Sequence, residues 1–391
     1  MRLGVKIAIA VVLIAAIVAS IGAYVYIQNP RTKVNLIVAT TTSLYDTGLE
    51  DGNTTTSLKS AFEAAYPDIT VSFVAKGTGA AIAAAQAGDA DMLLVHSPSQ
   101  EITFLTGGFG VDRKIIAYNF FIMVGPSTDP ANISGLSPTA AMKKIYDSAK
   151  TNTAIQWVAR NDSSGTATKE ISLWAKAVTT ETYASFSTNT TWFICTGSGM
   201  GASLLVANQK NAYILSDLGT YLAYKGQGNI PQLTVLVQSN KDLLNVYSAI
   251  IDNPTNANLN STHFAESLTF VTWLVSDAGQ EIIGDYGVST YGQALFNPFI
   301  PLASGSVNNA TLLGWIKGAA YYNSTNQLDA NGTECPSAYR YNATELYNHS
   351  WDTITVSGIL QPPAVVQISF SQSKVSATVN IVVKHKRSID P

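Results

Sequence analysis

Clusters of hydroxyl and glycine residues follow several apolar runs of this sequence, at the points where buried strands would end. The densest cluster is Thr40, Thr41, Thr42 and Ser43, which comes directly after the apolar run 34–39. Similar clusters follow other apolar runs and read KGTGA (76–80), HSPS (96–99), RNDSSGT (160–166) and TGSGMGAS (196–203). Hydroxyl and backbone N–H groups donate hydrogen bonds, whereas a fully deprotonated oxyanion only accepts them. These residue types are therefore suited to binding an oxyanion.

The clusters lie between predicted strands and predicted helices. Apolar runs predict strands at 34–39, 69–74, 91–95, 118–124, 155–159, 191–194, 233–237 and 246–251. Helical patterns lie between most of them, as at 55–66, 140–149 and 165–177. This alternation indicates an α/β fold with a largely parallel sheet, in which ligands bind beyond the carboxyl ends of the strands. Helix N-termini at those ends would add unpaired N–H groups and partial positive charge, which favour anions.

Each cluster also has an ordinary structural explanation. Ser and Thr are preferred N-cap residues, and glycine loops are often only turns. A lone arginine such as Arg160 commonly lies at the surface or in an ion pair. The recurrence of such clusters after five predicted strands is the less common feature. It favours a site for an oxyanion or another small polar ligand.

Composition and motifs weigh against nucleic-acid binding and catalysis. The net charge is −3 and only 13% of the residues are charged, so the chain has no basic field for nucleic acid. The sequence has no GxSxG elbow around Ser198, no HExxH among its four histidines and no Walker A motif. We expect His96 to bond a neighbouring loop, and Asp162 to orient Arg160 or cap the next helix. The prediction is a protein without enzymatic activity, metal or cofactor; a hydrolase that uses Ser198 or Asp162 is a minor alternative.

The N-terminus predicts a location outside the cytoplasm. Arg2 and Lys6 precede an apolar run at 7–27, which is long enough to span a bilayer as a helix. The run is longer than the apolar core of most signal peptides and has no clear A-x-A cleavage site. An uncleaved signal anchor and linker at 1–33 is therefore favoured over a cleaved signal. The protein is expected at the cell surface, membrane-anchored by this helix, or secreted if the helix is cleaved.

Two further features fit an extracellular chain. The only cysteines, Cys195 and Cys335, are candidates for one disulfide in such a compartment. Their spacing matches neither a metal site nor a redox motif. Sequons for N-glycosylation are crowded toward the C-terminus, where the candidates are Asn309, Asn323, Asn331, Asn342 and Asn348.

The composition and the hydrophobic pattern of the sequence change near Asn297. A short helical pattern at 312–321 is followed by a polar, Asn-rich stretch, and then by alternating segments at 365–383 that predict a β-hairpin. We interpret 298–391 as an appended, β-rich, glycosylated module. Its strands are candidates for self-assembly by strand addition.

The motifs together resemble a known family. The stretches ATTTSLYDTGL, FVAKGTGAAI, GDADMLLVHSPS, ARNDSSGTATKEISLW, TGSGMGAS and AYILSDLGTY are similar, in this order, to the tungstate-binding proteins of tungstate ABC importers. These are type II solute-binding proteins. The resemblance covers about 34–296 and implies a two-lobed type II periplasmic-binding-protein fold, with lobe one at 34–114 plus 245–297 and lobe two at 115–244.

The resemblance also implies a ligand site between the lobes. From lobe one, the expected contacts to the oxyanion are Thr41, Thr42, Ser43 and Thr78. From lobe two, they are Arg160, Ser164, Gly165 and Thr166, with backbone N–H groups of Gly199 and Met200. Thr40 is expected to end the strand and to point into lobe one.

Three positions depart from the family pattern. Where the family usually has RGDDSGT, this chain places Asn161 at the glycine and Ser163 at the second aspartate. Leu218 stands where the family usually has arginine. Asn161 also begins a sequon inside the expected site, so we expect it to carry no glycan.

The function that these features predict is capture of tungstate, or alternatively molybdate, for delivery to an ABC permease. The alternative is a cell-surface structural or adhesive protein that reuses the solute-binding fold and assembles through its C-terminal β module.

Overall fold

A computed structural model describes residues 33–52, 57–259, 263–341 and 344–347. Within these ranges, no helix combines the length and apolar character that crossing a bilayer requires. The predicted anchor at 7–27 and the predicted hairpin at 365–383 lie outside the described residues.

Strands and helices alternate along most of the described chain. The strands are β1 Val34–Thr41, β2 Ile69–Lys76, β3 Met92–Val95, β4 Gly110–Pro126, β5 Trp157–Ala159, β6 Phe193–Cys195, β7 Tyr213–Asp217, β8 Leu233–Val237, β9 Leu244–Asp252 and β10 Asn297–Pro298. The α-helices are α1 Thr42–Tyr45, α2 Leu58–Ala65, α3 Thr78–Gln86, α4 Pro98–Thr106, α5 Pro138–Ala149, α6 Gly165–Ala177, α7 Tyr183–Phe186, α8 Met200–Lys210, α9 Leu218–Gly226, α10 Phe264–Leu274, α11 Asp277–Asp285, α12 Val288–Tyr291, α13 Phe299–Ala303 and α14 Ala310–Ala320. The strand β7 is absent from the sequence prediction.

The sheet of lobe one has the order β2–β1–β3–β9–β4. The first three strands are parallel, and β9 then pairs antiparallel with both β3 and β4. Parallel strands require crossover helices, and α3, between β2 and β3, provides one of them. The carboxyl ends of β1 and β3 consequently lie at the same edge of the sheet, which is where the hydroxyl clusters emerge.

Strand β4 continues from lobe one into lobe two. It pairs with β9 up to Phe120 and with β7 from Phe121 onward. In lobe two, β5 is parallel to both β6 and β7. The change of sheet along β4 therefore falls at Phe120–Phe121, later than the predicted boundary at 114/115.

Each lobe buries apolar residues on both faces of its sheet. In lobe one, Leu36 and Val38 pack with Phe270 of α10 on one face, while Ala39 and Leu93 pack on the other. In lobe two, the apolar cluster that contains Trp157 and the one that contains Ile214 cover the two faces of the sheet. Strands that are covered on both faces explain why the sequence shows continuous apolar runs rather than alternation.

The described part of the predicted C-terminal module differs from a β-rich domain. It contains α13 and α14, and Leu302 and Ile316 of these helices pack onto Ile115 of β4 and Val246 of β9. The helical pattern predicted at 312–321 corresponds to α14. Strand-like pairing within this part is limited to isolated bridges of Tyr322. The part is helical because Leu312, Ile316 and Ala320 recur at helical spacing and find an apolar surface on lobe one.

The candidate disulfide is not formed. Cys195 and Cys335 are both free thiols. Cys195 ends β6 in lobe two and is exposed, whereas Cys335 is buried against Leu346 and Tyr347. The two residues belong to different packing environments, so the prediction of a bridge between them is corrected.

Candidate functional site

The side chains of the hydroxyl cluster at the end of β1 point in two directions, into the core of lobe one and toward the turn that follows the strand. Thr40 is fully buried and its hydroxyl donates to Glu50 Oε1 at 2.5 Å, inside lobe one. Strand β1 ends at Thr41, and α1 begins at Thr42. The Thr41 and Ser43 hydroxyls lie 3.0 Å apart, both buried. Thr40 is therefore an internal residue, as predicted, and the next three residues form the turn at the strand end.

Arg160 reaches this turn from lobe two. It follows β5, and its side chain is almost wholly buried. The guanidinium donates to Asp162 Oδ2 at 2.5 Å and 3.2 Å, and to Thr42 Oγ1 at 3.3 Å. Asp162 Oδ1 accepts from the backbone N–H of Ser164 at 3.3 Å. Asp162 thus orients Arg160 and binds the start of α6, which are the two roles proposed for it from the sequence.

The N-termini of α3 and α6 each carry a buried hydroxyl without a protein partner. Thr78 is the first residue of α3, and Thr166 is the second residue of α6. Both side chains are fully buried, and neither Oγ1 has a hydrogen-bond partner among the described residues. An unsatisfied buried hydroxyl costs about 1–3 kcal/mol. Two of them at two helix N-termini indicate places where a hydrogen-bond acceptor would be accommodated.

The remaining site residues predicted from lobe two also begin helices. Ser164 caps α6 by accepting from Ala167 N–H at 3.1 Å, so its own O–H proton is not used by the cap. Gly199 is the N-cap of α8 and makes no side-chain cap bond, and Met200 is the first residue of that helix. Of the N–H groups at the two helix starts, that of Ala167 is used by Ser164 and that of Gly201 by Asp46. Those of Gly165, Thr166 and Met200 remain for an anion.

Direct contacts close the cleft between the two lobes. Gly79 N–H of α3 donates to Ser163 O at 3.1 Å, and Gln100 Nε2 donates to Thr168 Oγ1 at 2.8 Å. A Cβ placed on Gly165 would lie 2.8 Å from the His96 ring, so only glycine fits at this contact. The structure consequently brings the clusters after β1, β2, β3 and β5 together, and sequence reasoning missed Gln100 as one of the bridging residues.

His96 connects the hydroxyl turn to the inner strands. Its Nε2 lies 3.0 Å from Ser43 Oγ, and its Nδ1 lies 2.8 Å from Asn245 Oδ1 of β9. Burial lowers the pKa of His96 to about 4, so the ring is neutral at pH 7. The sequence prediction that His96 bonds a neighbouring loop agrees with this geometry, whereas Asn245 gave no sequence signal because it lies within an apolar strand.

Two carboxyl groups near the site are shifted toward their neutral forms. Burial raises the pKa of Asp46, although a hydrogen bond from the Gly201 backbone and the charge of Arg160 oppose the shift. Burial also raises the pKa of Asp217 to about 6, and this side chain caps α9 by accepting from Thr220 N–H at 2.8 Å. A carboxyl with a pKa of about 6 is still mostly ionised at pH 7, so Asp217 keeps its negative charge, which the hydrogen bonds from Thr220 stabilise.

The two departures in RNDSSGT occupy unusual backbone conformations. Asn161 has φ +48° and Ser163 has φ +58°, both in the left-handed region. Asparagine tolerates this region better than most residues, so Asn161 can adopt a backbone conformation that suits the glycine expected here from the family resemblance. Asn161 is exposed, so it lies at the rim of the cleft rather than inside it.

The residues proposed for a hydrolase are engaged elsewhere. Ser198 Oγ donates to Thr196 O at 3.1 Å, and Asp162 is paired with Arg160. Among the described residues, no group of three or more His, Cys, Asp and Glu side chains could hold a metal ion.

The chain matches known proteins over its two-lobed part. The family described as "PBP superfamily domain" matches residues 27–278, more than half of the chain. The tungstate-binding protein TupA of Peptoclostridium acidaminophilum is 34% identical over 276 residues, which is 70% of this chain and 88% of that protein.

Solved structures give the same result. The tungstate-binding protein TupA from Desulfovibrio alaskensis G20 has 36% identity and a TM-score of 0.54, and the match covers 68% of this chain and 98% of that one. A structure titled as the tungstate ABC transporter from Geobacter sulfurreducens has 33% identity and a TM-score of 0.54, with 64% and 98% covered. The chain therefore belongs to the PBP superfamily, has the type II periplasmic-binding fold, and is a member of the family of solute-binding proteins that includes TupA.

Proposed function

We propose that this protein captures tungstate and delivers it to an ABC permease. The observation that carries the proposal is the meeting, across a closed cleft, of Arg160 and the starts of helices from both lobes. Thr78 and Thr166 add two buried hydroxyls that have no hydrogen-bond partner within the described part of the chain. The relatives described above bind tungstate according to their names, which supports the choice of this oxyanion.

The donor set favours a fully deprotonated tetrahedral dianion. Such an anion offers only acceptors, and N–H, O–H and guanidinium groups offer only donors to it. A protonated oxyanion such as hydrogen phosphate needs an acceptor as well. Asp162 is the carboxylate paired with Arg160, and both of its oxygens already accept hydrogen bonds from Arg160 and Ser164. The site residues proposed to contact tungstate are Thr41, Thr42, Ser43, Thr78, Arg160, Ser164, Gly165, Thr166, Gly199 and Met200.

Ligand-induced stabilisation tests the proposal. Thermal unfolding is followed with tungstate, molybdate, sulfate and phosphate at equal concentration and ionic strength. A ligand present at 100 times its Kd adds about 2.7 kcal/mol to the free energy of unfolding. We expect tungstate to raise Tm most, molybdate to follow, and sulfate and phosphate to have little effect. Equal, small shifts for all four anions would show only a general salt effect and would reject the site.

The cellular setting completes the proposal. The N-terminal segment 7–27 would anchor the protein at the cell surface, with the lobes outside, where an ABC permease receives the anion. Asn309 and Asn331 are exposed, which is compatible with glycosylation, whereas Asn342 and Asn348 lie outside the described residues. Asn323 is half-buried, and its side-chain oxygen accepts from Thr325 N–H at 2.9 Å. The tungstate-binding relatives named above do not support the adhesive alternative, and the strands proposed for self-assembly lie outside the described residues.

A further inference from the structure

The side-chain amide of Asn245 has a defined orientation. Asn119 Nδ2 donates to the backbone oxygen of Leu295 at 3.3 Å, so Asn119 Oδ1 is directed the other way and accepts from Asn245 Nδ2 at 3.0 Å. Asn245 Nδ2 also donates to Tyr247 Oη at 2.8 Å. With its nitrogen used twice as a donor, Asn245 directs its oxygen at His96.

This orientation sets the position of the proton on the His96 ring. Nδ1 faces the oxygen of Asn245 at 2.8 Å and must carry the hydrogen. In a neutral imidazole the other nitrogen then has only a lone pair, so Nε2 accepts. Its partner is Ser43 Oγ at 3.0 Å, which donates its proton to the ring. Thr41 Oγ1, 3.0 Å from Ser43 Oγ, is left to donate to that oxygen.

Thr42 is in the opposite situation. Its Oγ1 accepts from Arg160 at 3.3 Å, so its own proton remains available. Neighbouring hydroxyls on the same turn therefore differ. Ser43 donates its proton to a hydrogen bond inside lobe one, whereas the Thr42 hydroxyl, beside the guanidinium of lobe two, can still donate to a ligand.

We propose that His96 and Asn245 are a positioning pair that draws the Ser43 hydroxyl away from the cleft, so that Thr42, Arg160 and backbone N–H groups bind the anion. The inference deepens the proposed function and rests on it for the identity of the ligand. Ser43 then offers only its backbone N–H group to the site, and its side chain fixes the turn. Because the protons of both hydroxyls are used within lobe one, the side chains of Thr41 and Ser43 are removed from the contacts proposed above. His96 also rests against Gly165 of α6, so the pair additionally supports the closed contact between the lobes.

The order Ser43, His96 and Asn245 is also that of a nucleophile, a base and an orienting group. Two observations favour positioning over catalysis. Ser43 Oγ is fully buried and makes a second contact to Thr41. The low basicity of the buried His96 ring is unsuited to removing a proton from a serine at pH 7.

Nitrogen NMR of the ring tests the pair directly and needs no anion. Full-length protein labelled with ¹⁵N-histidine is recorded at pH 7, and His96→Asn identifies the signals of His96. We expect a neutral ring protonated at Nδ1, which is the minor tautomer of free histidine. A ring protonated at Nε2, or a charged ring, would overturn the proposal whether or not the protein binds tungstate.

Affinity measurements with tungstate test the consequence for Ser43. Thr42→Val removes a hydroxyl that donates to an anion, so we expect a loss of about 10- to 150-fold. Ser43→Ala should lose about threefold to tenfold, since it removes one neutral hydrogen bond that only holds the turn. His96→Asn should weaken tungstate binding by a similar factor. The double variant His96→Asn/Ser43→Ala should bind only slightly more weakly than His96→Asn alone. The proposal would be contradicted if Ser43→Ala weakened tungstate binding as much as Thr42→Val does, either in the wild-type protein or in the His96→Asn variant.

A fluorophosphonate probe separates positioning from catalysis. We expect the full-length protein to remain unlabelled at pH 7 to 8, with Ser43→Ala as the matched control. Covalent labelling that disappears in Ser43→Ala would identify Ser43 as a nucleophile and would overturn the proposal.

Discussion

Arg160 brings a buried positive charge to the cleft, and its surroundings show why arginine rather than lysine stands there. The guanidinium contacts Asp162 within its own lobe and Thr42 of the other lobe at the same time. A planar group with five donors can serve both partners and still offer N–H groups to an anion, whereas the ammonium of lysine is a single point of charge. The chemistry of the site therefore depends on geometry as well as on charge at this residue.

Replacing Arg160 tests this dependence at the residue scale. Arg160→Gln should weaken tungstate binding by about 10- to 150-fold, the range for a lost hydrogen bond to a charged group. Arg160→Lys should recover only part of that loss. Isothermal titration measures the affinity, and Lys143→Gln, an exposed lysine of α5, is the control for removing one positive charge. Equal effects of Lys143→Gln and Arg160→Gln would show that only the overall charge matters.

At the scale of elements, helix N-termini form most of the candidate site. Helices α3, α6 and α8 begin at glycine or serine N-caps directly after strand-end loops. Short loops after parallel strands place helix starts at the carboxyl edge of the sheet, where partial positive charge concentrates. The strand order thereby accounts for much of the attraction for anions without many charged residues.

Removing the hydroxyl of Thr78 or Thr166 should affect stability and ligand binding in opposite directions. Thr78→Val or Thr166→Val should leave the ligand-free protein unchanged or more stable, because each removes an unsatisfied buried hydroxyl. Each should also weaken tungstate binding severalfold. Urea unfolding and titration measure the two effects.

Thr220→Val is the matched control for this pair. The Thr220 hydroxyl is equally buried but donates to Asp217 at 2.9 Å, so its loss should destabilise the protein by about 1 kcal/mol or more. Destabilisation of Thr78→Val and Thr166→Val to the same degree as Thr220→Val would contradict the assignment of their hydroxyls to a ligand.

At the scale of the whole molecule, the segment after Pro298 is integrated with lobe one rather than appended to it. A bulge in β4 near Asp112 turns Arg113 and Lys114 toward this segment. Arg113 donates to Glu101 Oε2 at 2.7 Å and to two backbone oxygens of the segment, and Lys114 pairs with Glu334. Both cations are completely buried, so they require these partners.

The pair of Lys114 and Glu334 gives a stability prediction. Glu334→Gln in the full-length protein leaves a buried ammonium without its counter-charge and should cost about 3–5 kcal/mol of unfolding free energy. Asp147→Asn, which breaks the exposed pair with Lys143, should cost less than about 1 kcal/mol. Urea unfolding compares the two variants. Equal, small losses would show that the segment contributes little to the fold of lobe one.

Local patterns along the chain predict the α/β fold class and the strand ends at which the candidate site lies. Apolar runs that end in TTTS, KGTGA and RNDSSGT are local signals, because strand burial and the demand for donors at strand ends act on neighbouring residues. These local patterns indicated the clusters that contain Arg160, Thr78 and Thr166, whereas the resemblance to a known family implied that these three residues contact the ligand.

The hydrogen-bond partners of these side chains, in contrast, depend on contacts between distant parts of the chain. Ser43, His96 and Asn245 come from separate strands and loops, and their hydrogen bonds follow from the strand order β1–β3–β9. The same holds for Arg113 with the C-terminal segment, and for the separation of Cys195 from Cys335. The sequence does not distinguish a hydroxyl that donates to an imidazole ring from one that donates to a carboxylate or to an anion. The acceptor depends on residues that folding brings together from distant parts of the chain.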